Sequence, residues 1–295
     1  MLNYQLDKDL IPTDYLWTQV PGSLKQISVG FQEQAPIDPR KGPTSQSYRW
    51  NMWGINSLNE IWRWPQTFDK TNDYLVNVWE PILGSLVQVS IGPYSLAGQP
   101  TPTVWGVNQN DEIWRWRGGW GTGNYWDRIE GSLRRISVGA AGVWGVNQNG
   151  DAYCWMGGGG TANSWQRVNV PSPLSDIAVA DWDVWGITQT GQVIRRSALL
   201  PIPGLNSNWA PVTFFDAAQI AGSETDLCIV TKQGEVWSWR GSNDWLWLTH
   251  SGGFPVKFKQ VSVGVLPVGA TDHGTIWAVD IIDGIWRWKY SVVAL

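Results

Sequence analysis

The sequence predicts an all-β fold, a six-bladed β-propeller of four-stranded blades, and three observations carry that reading. One tryptophan-rich unit recurs along the chain, its spacing is that of a propeller blade, and its pieces have the length and composition of short strands. Anchoring on the segment that reads VWGVN in its clearest copies gives Trp53, Trp105, Trp144, Trp185, Cys228 and Trp277. These anchors lie about 39 to 52 residues apart, close to the roughly 40–50 residues of four-stranded propeller blades. The spacing is too long for leucine-rich repeats, and the helical apolar period of armadillo or HEAT repeats is missing.

Within each copy the elements follow in a fixed order. LKQISVG, VWGVN and EIWRW are rich in Val, Ile and Trp and end at Gly, Asn or Asp, as strands do. NQNDE (108–112) and NQNGD (147–151) read as tight hairpin turns, because Asn and Gly tolerate left-handed backbone. A W-x-x-V piece before each GSL supplies the fourth strand. The sixth copy ends soon after Trp288 without such a piece, whereas Trp17-Thr18-Gln19-Val20 precedes the first GSL with no blade of its own. That strand should therefore complete the last blade and pair with Gly284–Lys289, closing a ring that would otherwise leave two unpaired edges. The expected organisation is one domain over 1–295, with an insertion at 31–52 in the first blade. A two-sheet sandwich is the runner-up, and the regular period argues against it.

Composition excludes several classes. The chain has 295 residues, 24 of them Trp, with a net charge of −4 and 16% charged residues. No general pull on phosphate backbones follows, so nucleic acid is not an expected partner. No apolar run reaches the ~18–20 residues of a membrane span, and none is expected to insert. The first residues lack a basic and an apolar signal region, so the expected location is cytoplasmic, or outside the cell by a non-classical route. Cys154 and Cys228 fall a blade apart and are expected to be free thiols.

The unit W-x-x-[VI]-x-G-S-L-x-x-[IV]-S-[VI]-G…VWGVN…[IV]-W-R-W resembles the tectonin repeat of tectonins, fish-egg lectins and tachylectin-1-like lectins. The resemblance covers roughly 17–288, is specific in copies one, two, three and six, and is weak in four and five. It implies a ring used to bind glycans such as lipopolysaccharide, N-acetylglucosamine or O-methylated sugars, often in defence. Some tectonin-repeat proteins are adaptors instead, so an intracellular protein–protein scaffold is the alternative. The sequence departs from the pattern where Asn56, Asn108 and Asn147 become Thr188, Thr231 and Asp280, and where the Trp-x-Trp pair becomes Ile194-Arg195-Arg196.

Motifs for catalysis are sparse, and no enzymatic activity, cofactor or metal is expected. His250 and His273 stand in dissimilar contexts with no ligand spacing or nucleophile motif. Asp181/Asp183 and Asp280/Asp283 could in principle form carboxylate pairs, but they sit at turns, where Asp is favoured for backbone reasons. Gly157 to Gly160 is followed by no Lys-Ser/Thr and opens no helix, so it is not read as a phosphate loop.

The tryptophans divide by position. Trp53, Trp105, Trp144, Trp185 and Trp277 are expected in the core. The third-strand pairs alternate so that both aromatics share one face and the Arg takes the other. Half-covered indoles there could offer an apolar face and an N–H to a sugar. The candidate ligand-binding residues are therefore Trp62, Arg63, Trp64, Trp114, Arg115, Trp116, Tyr153, Trp155, Trp286, Arg287 and Trp288. The turn residues Asn56, Asn108 and Asn147 and the loop aromatics Trp120 and Tyr125 complete the set. About four working sites follow, in blades one, two, three and six, on a monomer or small homo-oligomer. The loops between third and fourth strands are the face on which ligand is expected, together with the clefts between blades.

Overall fold

Short β-branched and aromatic segments separated by Asn-, Asp- and Gly-containing turns can bury both faces only by stacking against copies of themselves. In the computed structural model they form six antiparallel four-stranded sheets. The structure describes residues 15–33, 48–67, 79–92, 103–117, 125–157, 164–197, 209–212, 216–223, 226–242, 244–248, 256–264 and 275–290. Blade 1 runs Gln26–Glu33, Tyr48–Ile55, Glu60–Thr67 and Glu80–Ser85. Blade 2 runs Gln88–Ile91, Val104–Val107, Ile113–Trp116 and Trp126–Ile129. Blade 3 runs Arg135–Gly139, Gly142–Val146, Ala152–Trp155 and Trp165–Val168. Blade 4 runs Leu174–Ala180, Asp183–Thr188, Val193–Ser197 and Ala210–Pro211. Blade 5 runs Ala217–Gly222, Leu227–Thr231, Val236–Gly241 and Asp244–Trp247. Blade 6 takes Phe258–Gly264, Thr275–Asp280 and Gly284–Tyr290 from the end of the sequence and Tyr15–Ser23 from its beginning.

The closing strand pairs as its sequence demands, with Trp17 opposite Trp288 and Val20 opposite Ile285. The insertion differs from a plain loop at its flanks. Its ends lengthen the first hairpin of blade 1, pairing Phe31 with Trp50, Gln32 with Arg49 and Glu33 with Tyr48; residues 34–47 lie outside the described set.

The core lies in the seams between blades. At each seam the second-strand anchor of one blade meets the outer third-strand residue and the fourth-strand Trp of the next. Trp53 meets Trp116 and Trp126 edge-on at 5.2 and 5.8 Å, and Trp105 meets Trp155 and Trp165 at 5.3 and 6.1 Å. Trp277 meets Trp64 at 6.2 Å across the seam between blades 6 and 1. Edge-to-face packing suits the quadrupoles of paired indoles. Blade 4 keeps this arrangement with a different residue. Arg196, where other blades have Trp, is buried with its guanidinium 5.3 Å from the centre of the Trp144 ring, a cation–π contact in place of an indole pair.

Innermost strands have one edge that no strand covers, and side chains of the preceding blade satisfy it. The amide of Ile27 donates to Gln260 Oε1 at 3.1 Å and that of Val29 to Ser262 Oγ at 2.9 Å. Gln26 and Ser28 do the same for Val89 and Ile91 at 3.1 Å. Gln88 and Ser90 serve Ile136 and Val138 at 3.0 Å, Ser137 serves Val179 at 2.9 Å, and Gln219 serves Val261 at 2.8 Å. The glutamine amides donate back, as from Gln26 Nε2 to the Val89 carbonyl at 2.9 Å.

Blades 3 and 4 break the pattern and repair it together. Arg135 holds the glutamine position, but a guanidinium has no acceptor for the Ile177 amide. Asp176 supplies two, Oδ1 for its neighbour Ile177 and Oδ2 forward for Ile220, both at 3.0 Å. Its Oδ1 lies 3.7 Å from Arg135 Nε. Burial pushes this carboxyl above its ordinary range, although Arg135 pulls it down. A raised folded-state pKa means the contribution of this group is full below the ordinary carboxylate value and is lost as pH rises through the folded one.

Two outcomes are expected. Trp17→Ala should cost ~3–5 kcal/mol in denaturant unfolding, because Trp17 is buried against Phe258 and Trp288 at ring distances of 4.5 and 5.1 Å. The singles Arg135→Gln and Asp176→Gln should each cost ~1–3 kcal/mol, one stripping a buried carboxylate of its cation, the other orphaning the Ile177 amide. The double substitution restores the glutamines of the other blades and should cost less than either single. Additive losses would refute this coupling.

Candidate functional site

The hairpin turn between second and third strands sets the site's frame. Asn56 Oδ1 accepts from the amides of Leu58 (3.0 Å) and Glu60 (2.9 Å), and Asn56 Nδ2 donates to Glu60 Oε2 at 2.6 Å. Asn108 binds Asn110, Glu112 and the Glu112 carboxylate in the same way, and Asn147 repeats it with Asn149 and Asp151. The fourth turn residue has φ of 66° at Asn59, 61° at Asp111, 82° at Gly150, 92° at Gly191, 86° at Gly234 and 72° at Asp283. Only Gly, Asn and Asp occupy it, as left-handed backbone requires. Asn56, Asn108 and Asn147 thus have both side-chain ends engaged in building turns. The sequence departures keep that role: Thr188 and Thr231 Oγ1 accept from Gln192 and Glu235 at 3.1 Å, and Asp280 Oδ1 accepts from Ile282 and Gly284.

The third-strand pairs split between core and surface. Trp64, Trp116 and Trp288 are buried at 1–2% exposure and Trp155 at 8%, because the preceding blade's second strand closes over them. Their partners nearer the turn, Trp62, Trp114, Tyr153 and Trp286, are half-buried. Open aromatic surface therefore lies toward the turn face, opposite the loops between third and fourth strands where the sequence placed it. Among the arginines, Arg63 and Arg287 are buried and Arg63 is paired to Glu80 at 2.8 Å. Arg115 and Arg287 lie over the second-strand rings of Trp105 and Trp277 at 5.8 and 5.7 Å. They brace their own blades rather than facing the aromatic side. Tyr125 packs edge-on to Trp116 at 5.5 Å, and Trp120 lies outside the described residues.

Cross-strand register adds residues that the sequence reading did not single out. Arg128 stands opposite Trp114 and Arg167 opposite Tyr153 on the fourth strands, so each guanidinium shares a face with its aromatic. Glu112 and Asp151, two residues before the aromatics, share that face by alternation. Arg128 Nη2 lies 3.1 Å from Glu112 Oε1 and Arg167 Nη2 2.6 Å from Asp151 Oδ1. An aromatic, a carboxylate and a guanidinium are thus gathered at the turn-side mouth of two successive seams. The signal was present as N-x-x-x-[ED]-x-[WY] followed by W-x-R, but only the strand register unites the two.

Other blades vary this trio. Pro81 stands opposite Trp62 and Gln19 opposite Trp286, so blades 1 and 6 keep the aromatic without the guanidinium. Trp286 Nε1 donates to Asp280 Oδ2 at 2.8 Å. In blade 5 the partner is Trp247, stacked on Trp237 at 5.9 Å and 16°. Blade 4 has buried Ile194 there.

The tectonin domain family matches residues 44–168 and again 101–280, together more than half of the chain. The chain belongs to the tectonin family. A search of curated proteins finds no match. Among solved structures, this tectonin propeller is similar to YCF48 bound to D1 peptide, at 12% identity over 96% of this chain and 99% of that one, TM-score 0.54. YCF48 from Cyanidioschyzon merolae follows at 13%, 93% and 98%, TM-score 0.51. The SapL1 lectin in complex with alpha methyl fucoside gives 11%, 91% and 96%, TM-score 0.48. At these identities the likeness concerns the fold.

The carboxylates of this tectonin propeller that could be read as catalytic have structural partners. Asp183 is paired with Arg195, Asp280 holds its turn, and Asp283 pairs with Lys259. Among the described residues no cluster of three His, Cys, Asp or Glu is placed to hold a metal. No helix among them is long and apolar enough to cross a membrane. Both cysteines are free and buried; burial pushes Cys154 up to about 12 and Cys228 upward as well, so neither is a ready thiolate.

Hydrogen bonds from Arg167, and then Asn147, hold the Asp151 carboxyl below its ordinary range. A depressed folded-state pKa gives a contribution present above the ordinary carboxylate value and lost as pH falls through the folded one. In a carbon-detected NMR titration Asp151 should titrate below ~3.9, and Arg167→Ala should return it toward that value. An unchanged midpoint would show that the ion pair is not formed in solution.

Proposed function

We propose that this tectonin propeller is a multivalent carbohydrate-binding protein whose principal sites are the turn-side mouths of blades 2 and 3. The observation that carries the reading is the repeated trio of Trp114, Glu112 and Arg128 and of Tyr153, Asp151 and Arg167. A half-buried aromatic ring offers an apolar face to the C–H patches of a pyranose. The ion-paired carboxylate accepts from sugar hydroxyls and the guanidinium donates to them, each already oriented by the other. Nothing in that division of labour requires a covalent step, and the role is binding.

Sugars with added apolar groups suit such a mouth. N-acetylglucosamine and O-methylated sugars of microbial surfaces, including those of lipopolysaccharide, are the proposed class, with defence as the context. A shallow mouth buries little ligand, so each site is weak. Two sites on one rigid ring raise avidity on a dense glycan surface by ~10²–10⁴ where spacing allows simultaneous engagement. Blades 1 and 6 bind more weakly, since Pro81 and Gln19 replace the guanidinium.

After a glycan array identifies a sugar, calorimetry with its monovalent form should give a stoichiometry of about two. Trp114→Ala should remove about half the sites, and Arg128→Ala should weaken one of them about tenfold, with melting temperatures nearly unchanged. A stoichiometry of one abolished by a single substitution elsewhere, or no glycan bound at all, would overturn the reading.

A further inference from the structure

Blade 5 keeps two members of the trio found in blades 2 and 3 and exchanges the third. The carboxylate closing the turn and the aromatic two residues on are present as Glu235 and Trp237. Opposite Trp237 on the fourth strand, where Arg128 and Arg167 stand in blades 2 and 3, the register places Trp247. A second indole has replaced the cation, and the carboxylate has stayed.

Alternation along the third strand sorts these side chains. Val236 packs toward blade 6, in a cluster with Phe258 and Val261. Trp237 packs toward blade 4, against a cluster holding Trp185, Ile187 and Val193. Half-buried Glu235 shares the side of Trp237, whose Nε1 donates to Glu235 Oε2 at 3.3 Å. The rings of Trp237 and Trp247 are stacked, with 5.9 Å between centroids and 16° between planes. Trp247 is 48% exposed, so indole surface remains open beside the carboxylate.

The charges around this mouth do not cancel. Lys232, in the blade 5 turn, is paired with Asp216 at 3.6 Å and donates to the Thr190 carbonyl of blade 4 at 3.4 Å. The facing blade 4 turn, Thr188 to Gln192, contributes no charge. Lys257 belongs to the link into blade 6, where its carbonyl accepts from the Ile281 amide at 3.0 Å. Among the described residues Glu235 forms no ion pair, whereas Glu112 and Asp151 are each paired to the arginine of their own trio. Glu235 and Asp216 against Lys232 leave one negative charge in surplus on the blade 4 side.

We propose that the turn-side mouth of blade 5 binds a trimethylammonium group of the choline type, with Glu235 as its counter-ion and the indoles of Trp237 and Trp247 as its contact surface. Indole faces attract cations through the ring quadrupole, more strongly than other aromatic side chains do. Blades 2 and 3 show that this frame accommodates a cation beside a carboxylate and an aromatic ring, and there the protein supplies the cation itself. A primary ammonium is strongly hydrated and brings three donors, which Glu235 alone cannot satisfy. Trimethylammonium has no N–H, and its methyl groups carry the charge onto apolar surface. A neutral sugar could stack on the indoles but would leave the carboxylate charge unused. The site rests on blade 5 alone, so its failure would leave the blade 2 and 3 sites untouched.

Saturation-transfer NMR on the intact chain tests it, with choline chloride and with 3,3-dimethylbutan-1-ol, which has the same shape without the charge. The choline N-methyl protons should receive saturation, and the neutral analogue should bind at least ~5-fold more weakly. Trp247→Arg gives blade 5 the guanidinium of blades 2 and 3 and should abolish choline binding. Glu235→Gln, which keeps both indoles, should weaken it ~3–10-fold with an unchanged melting temperature, and it decides the matter if Trp247→Arg lowers stability. Trp182→Ser, at a residue 52% exposed on the first-to-second turn of blade 4, should bind choline as the parent does. Phosphocholine should bind as well through the same methyl groups; binding of phosphocholine without choline would make the phosphate the recognised group and overturn the proposal. So would no transfer to choline, equal affinity for the neutral analogue, or undiminished binding by Glu235→Gln.

Discussion

Every blade has to hide the free edge of its innermost strand, and the rest of the ring depends on how it does so. An uncovered edge exposes alternate amides and carbonyls and invites pairing with another chain. Here the edges are too close to one another to be filled by a further strand, and side chains of the preceding blade fill them instead. Glutamine suits the task because one amide group can accept from a backbone N–H and donate to a backbone carbonyl of the same strand. The bonds from Gln26 to both Val89 N–H and Val89 carbonyl show both halves of this. Since each blade serves the next, and blade 6 serves blade 1, the ring is closed by a continuous circuit of bonds.

That circuit explains which irregularities the chain tolerates. Arg135 would break it if substituted alone, since a guanidinium cannot accept, and Asp176 in the next blade answers by accepting twice. Arg196 would break a tryptophan seam, and the Trp144 ring answers as a cation–π partner. Both repairs fall at the seam of blades 3 and 4, with Arg135 and Trp144 on one side and Asp176 and Arg196 on the other. A charged residue inside a seam is admissible only where its neighbour changes with it, because an unpaired buried charge costs far more than an apolar substitution.

Fold was legible because period, strand length and the leftover Trp17-Thr18-Gln19-Val20 strand are properties of sequence order alone. The site was legible in part. Alternation placed Trp114 and Trp116 on one face, yet which of the two stays open depends on Trp53 of another blade, which no local pattern reveals. Asn56, Asn108 and Asn147 recur as a ligand site would, but recurrence is equally what a turn needs, and their bonds decide for the turn. Arg128 and Arg167 were hidden for the opposite reason. Each lies more than ten residues from its aromatic in sequence and directly opposite it across a strand pair.

A repeat that builds its turns from backbone bonds to one Asn, Asp or Thr releases the side chains of the two residues after it from building that turn. Those positions can then change independently in each blade, and they do: Gln109 and Asn110 in blade 2, Lys232 and Gln233 in blade 5, Ile281 and Ile282 in blade 6. Seam residues have no such freedom, since every substitution there meets a neighbour. Differences between blades should therefore concentrate at the turn tips and on the outermost strands, where Arg128, Arg167 and Trp247 also sit. Blade identity is written on the surfaces that the packing leaves unassigned, and the six-fold frame beneath them can stay constant while one face acquires distinct chemical sectors.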